Sequence, residues 1–327
     1  MSEKQRFEEI INSFPRVHVL VIGDVMLDIY EWCDVKRVSP EAPILIANTK
    51  EETFFLGGAA NVAHNARALD AKVTMIGVVG DDQMGEVLKN LLAEKGIEKN
   101  TIFTEAKRPT TSKRRIISGS QQLLRVDREV THDISSETSL KMQATIALEV
   151  EKCDVIILSD YCKGALTDEI INFVKTEALK YNKKIFVDSK NKNFLKYKGV
   201  YLVKPNKEEA EQFAGEKFEK GYTNLKSMGQ KLSGIFQSNI VITLAGDGTA
   251  LFEGDHFSHK LTKAQQVFDV SGAGDTVMTV VALAVGAGAK LEEAVDISNI
   301  AAGYVVSRVG TTVCSRDILN ERLLADI

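Results

Sequence analysis

Short apolar runs rich in β-branched residues alternate with stretches of helical period along most of this chain. Strands are expected at 17–22, 72–79, 154–158, 184–187, 201–203 and 239–244. Helices are expected at 59–69, 84–95, 168–181, 207–213, 225–236, 275–286, 291–307 and 316–325. This alternation predicts an α/β fold, a mostly parallel central sheet with helices on both faces. Ahead of the first strand, residues 2–14 read as an amphipathic helix. Phe7, Ile10, Ile11 and Phe14 fall on one face, and Ser2 with Gln5 has the spacing of a capping box.

Two segments break the rhythm. Residues 29–55 and 101–127 carry short alternating runs, such as 44–47 and 115–117, with no helix between them. They predict a small antiparallel β lid over the end of the main sheet, where substrates bind in open α/β folds. No linker-like tract or internal repeat divides the chain, so 1–327 is expected to be a single domain with that lid.

Composition narrows the picture. A 44% hydrophobic content over 327 residues is enough for a large core. The net charge of −4 comes with no basic field, which excludes nucleic acid as a partner. The longest apolar stretch, 277–289, is too short to cross a bilayer, and the first residues form no leader, so the protein is expected to be soluble without a membrane partner. The cysteines Cys33, Cys153, Cys162 and Cys314 form no C-x-x-C pair, and four free thiols suit a reducing cytoplasm. The five histidines suggest no metal constellation.

Residues 269–275 read Asp-Val-Ser-Gly-Ala-Gly-Asp, followed by Thr276 and an apolar helical run. Residues 265–268 before them look like a strand end. Strand, glycine turn and helix start together make an anion site, because the first N–H groups of a helix lack internal partners and the helix dipole is positive there. Asp275 in the first turn would repel a phosphate unless it takes a proton from a hydroxyl attacking that phosphate, which points to phosphoryl transfer. An ordinary helix start with an acidic residue would read the same. The turn lacks the third glycine of a dinucleotide fingerprint and lies late in the chain, and no G-x-x-x-x-G-K-[ST] occurs anywhere.

Three more clusters follow expected strands. Gly57 and Gly58 precede a helix whose first turn holds Asn61, suited to a sugar hydroxyl or to a buried cap. Asp24 and Asp28 follow the first strand and could grip hydroxyls, although Asp24 could equally cap a turn. Asn206 and Glu209 share a face at a helix start, as oxygen ligands for Mg²⁺ through water or as a capping box.

In this order and spacing, from about residue 15 to 315, the chain resembles the ribokinase-like (PfkB-type) sugar kinases. Gly57-Gly58-Ala-Ala-Asn61 through Gly80-Asp-Asp-Gln-Met-Gly85 resembles the first family signature, 269–275 the second, and Asn206-x-x-Glu209 the Mg²⁺-linked motif. Within the family, residues 23–30, 37–43, 121–125, 159–166 and 187–190 most resemble the heptose 7-phosphate kinases. Cys162 stands where glycine is expected there, and Ser189 where proline is.

The resemblance implies ATP and Mg²⁺ as cofactors and a phosphorylated sugar as acceptor. It makes Asp275 the base, with Gly272, Ala273 and Gly274 forming the anion hole. Asp28, Gly57, Gly58, Asn61 and Asp160 would hold the sugar, and Lys113, Arg114 and Arg125 its remote phosphate. Lys190, Asn206, Glu209, Thr243, Gly246, Gly248 and Asn299 would line the nucleotide. Asp269 and Ser271 match positions that bind a monovalent cation, K⁺ for instance, in some relatives. The family also implies a homodimer formed through the lid. Many bacterial heptose kinases continue into a nucleotidyltransferase, and this sequence is expected to be the kinase alone. The competing readings are a kinase for ribose, a fructose phosphate or a ketodeoxy sugar acid, and a sugar-binding regulator without catalysis.

Overall fold

The computed structural model describes residues 2–190, 194–262, 272–308 and 312–326. In chain order its elements are α1 (Glu3–Ser13), β1 (His18–Gly23), β2 (Val25–Val38), β3 (Leu45–Gly58), α2 (Ala59–Ala68), β4 (Lys72–Gly80) and α3 (Gln83–Glu94). Then come β5 (Ile102–Glu105), β6 (Ser112–Ser118), β7 (Gln121–Arg128), α4 (Ser136–Val150), β8 (Val155–Asp160), α5 (Asp168–Lys180), β9 (Lys184–Ser189) and β10 (Leu202–Val203). The rest are α6 (Lys207–Ala214), α7 (Leu225–Phe236), β11 (Asn239–Thr243), β12 (Thr249–Glu253), β13 (His256–Lys260), α8 (Ala273–Gly286), α9 (Leu291–Val305) and α10 (Arg316–Asp326).

Among the described residues the large sheet runs β13-β12-β11-β10-β9-β8-β1-β4-β5. It is parallel from β11 to β5, and β12 and β13 close one edge as antiparallel strands. Strand alternation splits the core into two layers. Val19 and Val21 of β1 face a layer shared with α1, α2, α8 and α9. Leu20 and Ile22 face the layer built with α4, α5, α6 and α7. With both faces covered, the central strands read as unbroken apolar runs.

The strands and helices expected outside the lid segments are present within two residues of the expected ends. The capping box at Ser2 and Gln5 is formed as well. Helix α4 is an addition. Its buried positions Met142, Ile146 and Val150 repeat at helical spacing, but Leu140 and Leu148 are exposed on the same helix and blur the stripe. Its start signal is Ser135, whose hydroxyl accepts from the Thr138 N–H.

The lid differs from expectation in three respects. Its sheet, ordered β3-β2-β6-β7, rests on two 14-residue strands, β2 and β3, rather than short ones. It begins at Val25, and the β2–β6 pair is parallel within an otherwise antiparallel sheet. Residues 102–105, placed with the lid on sequence grounds, form the edge strand β5 of the large sheet beside β4. A four-residue strand carries too little pattern to distinguish the two sheets.

Candidate active site

Parallel strands bring their carboxyl ends to one edge of the sheet, and the chemistry gathers there. Asp24 follows β1, Asp160 and Tyr161 lie at the end of β8, and Asp188 and Lys190 at the end of β9. Lys204 follows β10, and Thr243 ends β11. Helix α8 packs against α2 and crosses β1, β8 and β9, so its first turn opens onto that edge.

Gly272 caps α8 with a left-handed backbone (φ 80°) and supplies no side-chain cap, and the first ladder bond of the helix runs from Thr276 N–H to the Gly272 carbonyl. The N–H groups of Ala273 and Gly274 precede that ladder and are thus left for a ligand. Asp275 is buried. Its Oδ2 accepts from Asn61 Nδ2 at 2.7 Å and its Oδ1 from the Tyr161 hydroxyl at 2.9 Å. Burial, reinforced by Asp188, pushes its carboxyl up to about 6, while Asn61, Tyr161 and Lys204 pull it down. The result is a carboxylate that titrates near neutrality with its orientation fixed, which are properties suited to a general base.

Asn61 is itself held. Asn65, one turn on, donates to the Asn61 carbonyl and side-chain oxygen, and accepts from Thr276 Oγ1 at 2.8 Å. The chain Asn61–Asn65–Thr276 ties α2 to α8 and leaves the Asn61 amide N–H₂ for Asp275. Gly58 caps α2 in a left-handed backbone (φ 57°). A Cβ on Gly57 would lie 2.6 Å from Asp28 Oδ2, so the backbone there passes directly beside that carboxylate. Asp28, Gly57, Gly58 and Asn61 thus stand along one path that ends on Asp275.

A cleft of about 410 Å³ adjoins this point. Gly272, Ala273, Gly274 and Asp275 close one end. Thr243, Gly246, Gly248 and Asn299 lie on its wall, together with Lys190, Asn206 and Glu209. Asn299 Oδ1 accepts from Thr249 Oγ1 at 2.7 Å, which fixes its rotamer. Asn206 and Glu209 cap α6 reciprocally: Asn206 Oδ1 accepts from the Glu209 N–H, and Glu209 Oε2 from the Asn206 N–H. The capping reading is therefore formed, and it presents both side chains to the cleft. Burial, and after it Asp188, raises the Glu209 carboxyl, although Lys204 opposes this. A buried carboxylate pushed up by a neighbouring carboxylate suits a cation between the two. Among the described residues no group of three or more His, Cys, Asp or Glu could hold a metal, so an ion here would depend on water and phosphate oxygens. Asp269, Ser271 and the strand end expected at 265–268 lie outside the described residues.

Sequence reasoning missed three side chains of this region. Lys204 is buried and paired with Asp188 at 2.9 Å, and a Cβ on Gly274 would lie 3.3 Å from its Nζ. Burial lowers its pKa, but Asp188, Glu209 and Asp275 outweigh that and raise it, so the ammonium stays charged beside the α8 turn. Arg115 pairs with Asp28 at 2.5 Å and lies over the Tyr30 ring. Tyr161 reaches Asp275. Each sits beside a quoted motif, but its contact partner is distant in sequence, and periodicity does not encode that.

Other expected residues are placed differently. Asp160, like Asp28, Gly57, Gly58 and Asn61, lies outside the lining of that cleft, but unlike them it is turned toward another depression. It accepts from Cys162 N–H, Ser189 Oγ and Tyr197 OH, pairs with Lys196 at 3.2 Å, and borders a separate depression with Cys162. Arg114 is on the opposite face of the lid from Lys113 and is paired with Glu31 and Glu52, because adjacent strand residues alternate faces. Arg125 shares the Lys113 face but is half exposed and bonded to Asp127. Asp24 turns out to be a cap, accepting from the N–H groups of Tyr161, Lys163 and Ala165.

Comparison with known proteins adds three findings. Residues 17–318 match the family model for pfkB family carbohydrate kinases. The chain is 39% identical over 315 residues to the bifunctional protein HldE of Desulfatibacillum aliphaticivorans, covering 96% of this chain and 64% of that protein, so it spans somewhat less than two thirds of that relative. The fold is similar to Arabidopsis thaliana ribokinase complexed with ribose and ATP (TM-score 0.71, 19% identity, 94% of this chain and 98% of that one). It is also similar to Escherichia coli phosphofructokinase-2 in complex with potassium (TM-score 0.76, 18% identity, with the same coverage).

Proposed function

This chain belongs to the pfkB family of carbohydrate kinases and is a phosphotransferase with an alcohol group as acceptor, and from that premise we propose that it transfers the γ-phosphoryl group of ATP to O1 of D-glycero-β-D-manno-heptose 7-phosphate. The product is the 1,7-bisphosphate, a precursor of ADP-heptose and so of lipopolysaccharide. The observation that carries the catalytic part is the Asp275 carboxylate, buried, raised to about 6 and held by Asn61 and Tyr161 at the mouth of an uncapped helix.

In the step, the sugar hydroxyl gives its proton to Asp275 as its oxygen attacks the γ-phosphorus, the bond to the bridging oxygen breaks, and ADP leaves. The N–H groups at Gly272, Ala273 and Gly274 face the charge that builds on the transferred group. Lys204 adds a fixed positive charge behind that turn. Asn206 and Glu209 would hold Mg²⁺ through its waters, and the ion would neutralise phosphate charge. Thr243, Gly246, Gly248 and Asn299 border the space for the nucleoside, with Lys190 near the phosphates.

The sugar lies along Asp28, Gly57, Gly58 and Asn61 in this reading, with Arg115 orienting Asp28 from across the strand pair. The remote phosphate meets Lys113 on the same lid face, whereas Arg114 lies on the other face, paired with Glu31 and Glu52. The heptose assignment is supported by the sequence stretches at 23–30, 37–43, 121–125 and 159–166 and by the HldE relatives. Asp269 and Ser271 remain the proposed K⁺ positions. On the other face of the lid, Leu124 and Val126 are exposed, and Val38, Ile44 and Leu45 are exposed where β2 ends and β3 begins. A second copy of the chain docked there would make the homodimer. ADP release measured across heptose 7-phosphate, ribose, fructose 6-phosphate and a ketodeoxy sugar acid tests the substrate. Preference for any of the last three would replace the heptose reading.

A further inference from the structure

Tyr161 has no part in the step just described, yet groups from four elements converge on it. Asp24, buried after β1, accepts from the backbone N–H groups of Tyr161, Lys163 and Ala165 at 2.8, 2.9 and 3.0 Å, and so pins the loop after β8. The ring lies between two ammonium groups, Lys190 Nζ at 4.4 Å and lid Lys113 Nζ at 5.9 Å from its centroid. Its hydroxyl ends on Asp275 Oδ1. With Asn61 on the other oxygen, the carboxylate has one donor per oxygen and a lone pair of each to spare. Burial, and after it Asp275 itself, pushes the phenol well above its usual range, so it is a donor at any physiological pH.

We propose that Tyr161 is a positioning residue for the base, its hydroxyl holding the Asp275 carboxylate in the orientation that receives the sugar proton. The proposal rests on Asp275 being the base. A loop fixed by three hydrogen bonds to Asp24 gives the phenol little freedom, and Asn61 is fixed by Asn65, so two independent elements clamp the carboxylate from either side. The charged and titratable groups around Asp275 and this ring are Asp188 and Lys190 at the end of β9, Lys204 after β10, Glu209 on α6, and Asp28 and Lys113 on the lid. Asp24, also pushed up to about 6 by burial and then by Asp160, lies beneath the loop.

The test is the Tyr161→Phe variant, which removes one oxygen and leaves the ring and the Asp24-held backbone in place. Its kcat should fall about 10-fold with the KM for ATP changing much less, because phenylalanine keeps the ring that lines the cleft and removes only the hydroxyl on Asp275. The acid limb of its kcat/KM profile should move up by about 0.5 to 1 pH unit, since a donor to the charged carboxylate is lost. In an Asp275→Asn background the same substitution should have no further effect, because a residue acting through Asp275 has nothing left to position. Tyr161→Gln, which keeps a donor, should recover part of the rate and tests the idea if the phenylalanine variant melts early. An unmoved acid limb, or an equal fractional loss with and without Asp275, would overturn the proposal. Wild-type protein that turns over no sugar would instead overturn the kinase reading beneath it.

Discussion

Asp275 illustrates how one residue type takes its role from its surroundings. An exposed aspartate near pH 4 is too weak a base at neutrality, whereas burial beside Asp188 brings this one to about 6. The raised pKa sets the sign of the pH dependence: the carboxylate must be deprotonated to act, so kcat/KM rises with pH through about 6 and levels off above it. Asp275→Asn should lower kcat by about 10² to 10⁴ while leaving ATP affinity within a few-fold, since the amide keeps the volume but takes no proton. A rate profile against pH, with ATP binding by calorimetry, checks both. Near-normal turnover in this variant would remove the base from the account. Asp275 could be picked out in the sequence because a glycine turn and an apolar helix announce its place. Tyr161, Lys204 and Arg115 could not, because what matters is a partner 114, 16 or 87 residues away.

Elements were more legible than their pairings. A period of 3.6 or 2 marks a helix or a strand from a dozen residues, and the parallel order of β1, β8, β9, β10 and β11 then puts the site at their shared ends. Register and sheet membership depend on contacts across the molecule. That is why residues 102–105 read as part of the lid, and why the sequence does not show that Arg114 faces away from Lys113. One of the joins between lid and core is the turn from β3 into α2. Gly58 sits there in a left-handed backbone, and a Cβ would come within 2.5 Å of the Asp24 carbonyl oxygen. Gly58→Ala should therefore lower folding stability by about 1 to 3 kcal/mol, from backbone strain with added overpacking. Denaturant unfolding would measure it. A neutral result would mean that α2 can start without this backbone, and that the position of Asn61 is set elsewhere.

The whole molecule separates chemistry from selectivity. In the proposed reading the large sheet fixes the base, the anion turn and the nucleotide wall, whereas the lid carries Asp28, Lys113 and Arg115 toward whatever lies beyond the reacting hydroxyl. Relatives of one fold can then differ in acceptor by changing the lid, which is why the family follows more directly from the sequence than the sugar does. The same lid bears the exposed Leu124 and Val126. Sedimentation should give a dimer, and Leu124→Glu with Val126→Glu should shift it toward monomer. A wild-type monomer at micromolar concentration would contradict the proposed lid contact. The central claim is the acceptor and its position. Phosphorus NMR of the products formed from ATP and D-glycero-β-D-manno-heptose 7-phosphate tests it most directly. The account predicts ADP and a sugar bearing a second phosphate on the anomeric oxygen with the 7-phosphate retained. An unchanged sugar spectrum, or a new phosphate on any other hydroxyl, would contradict it.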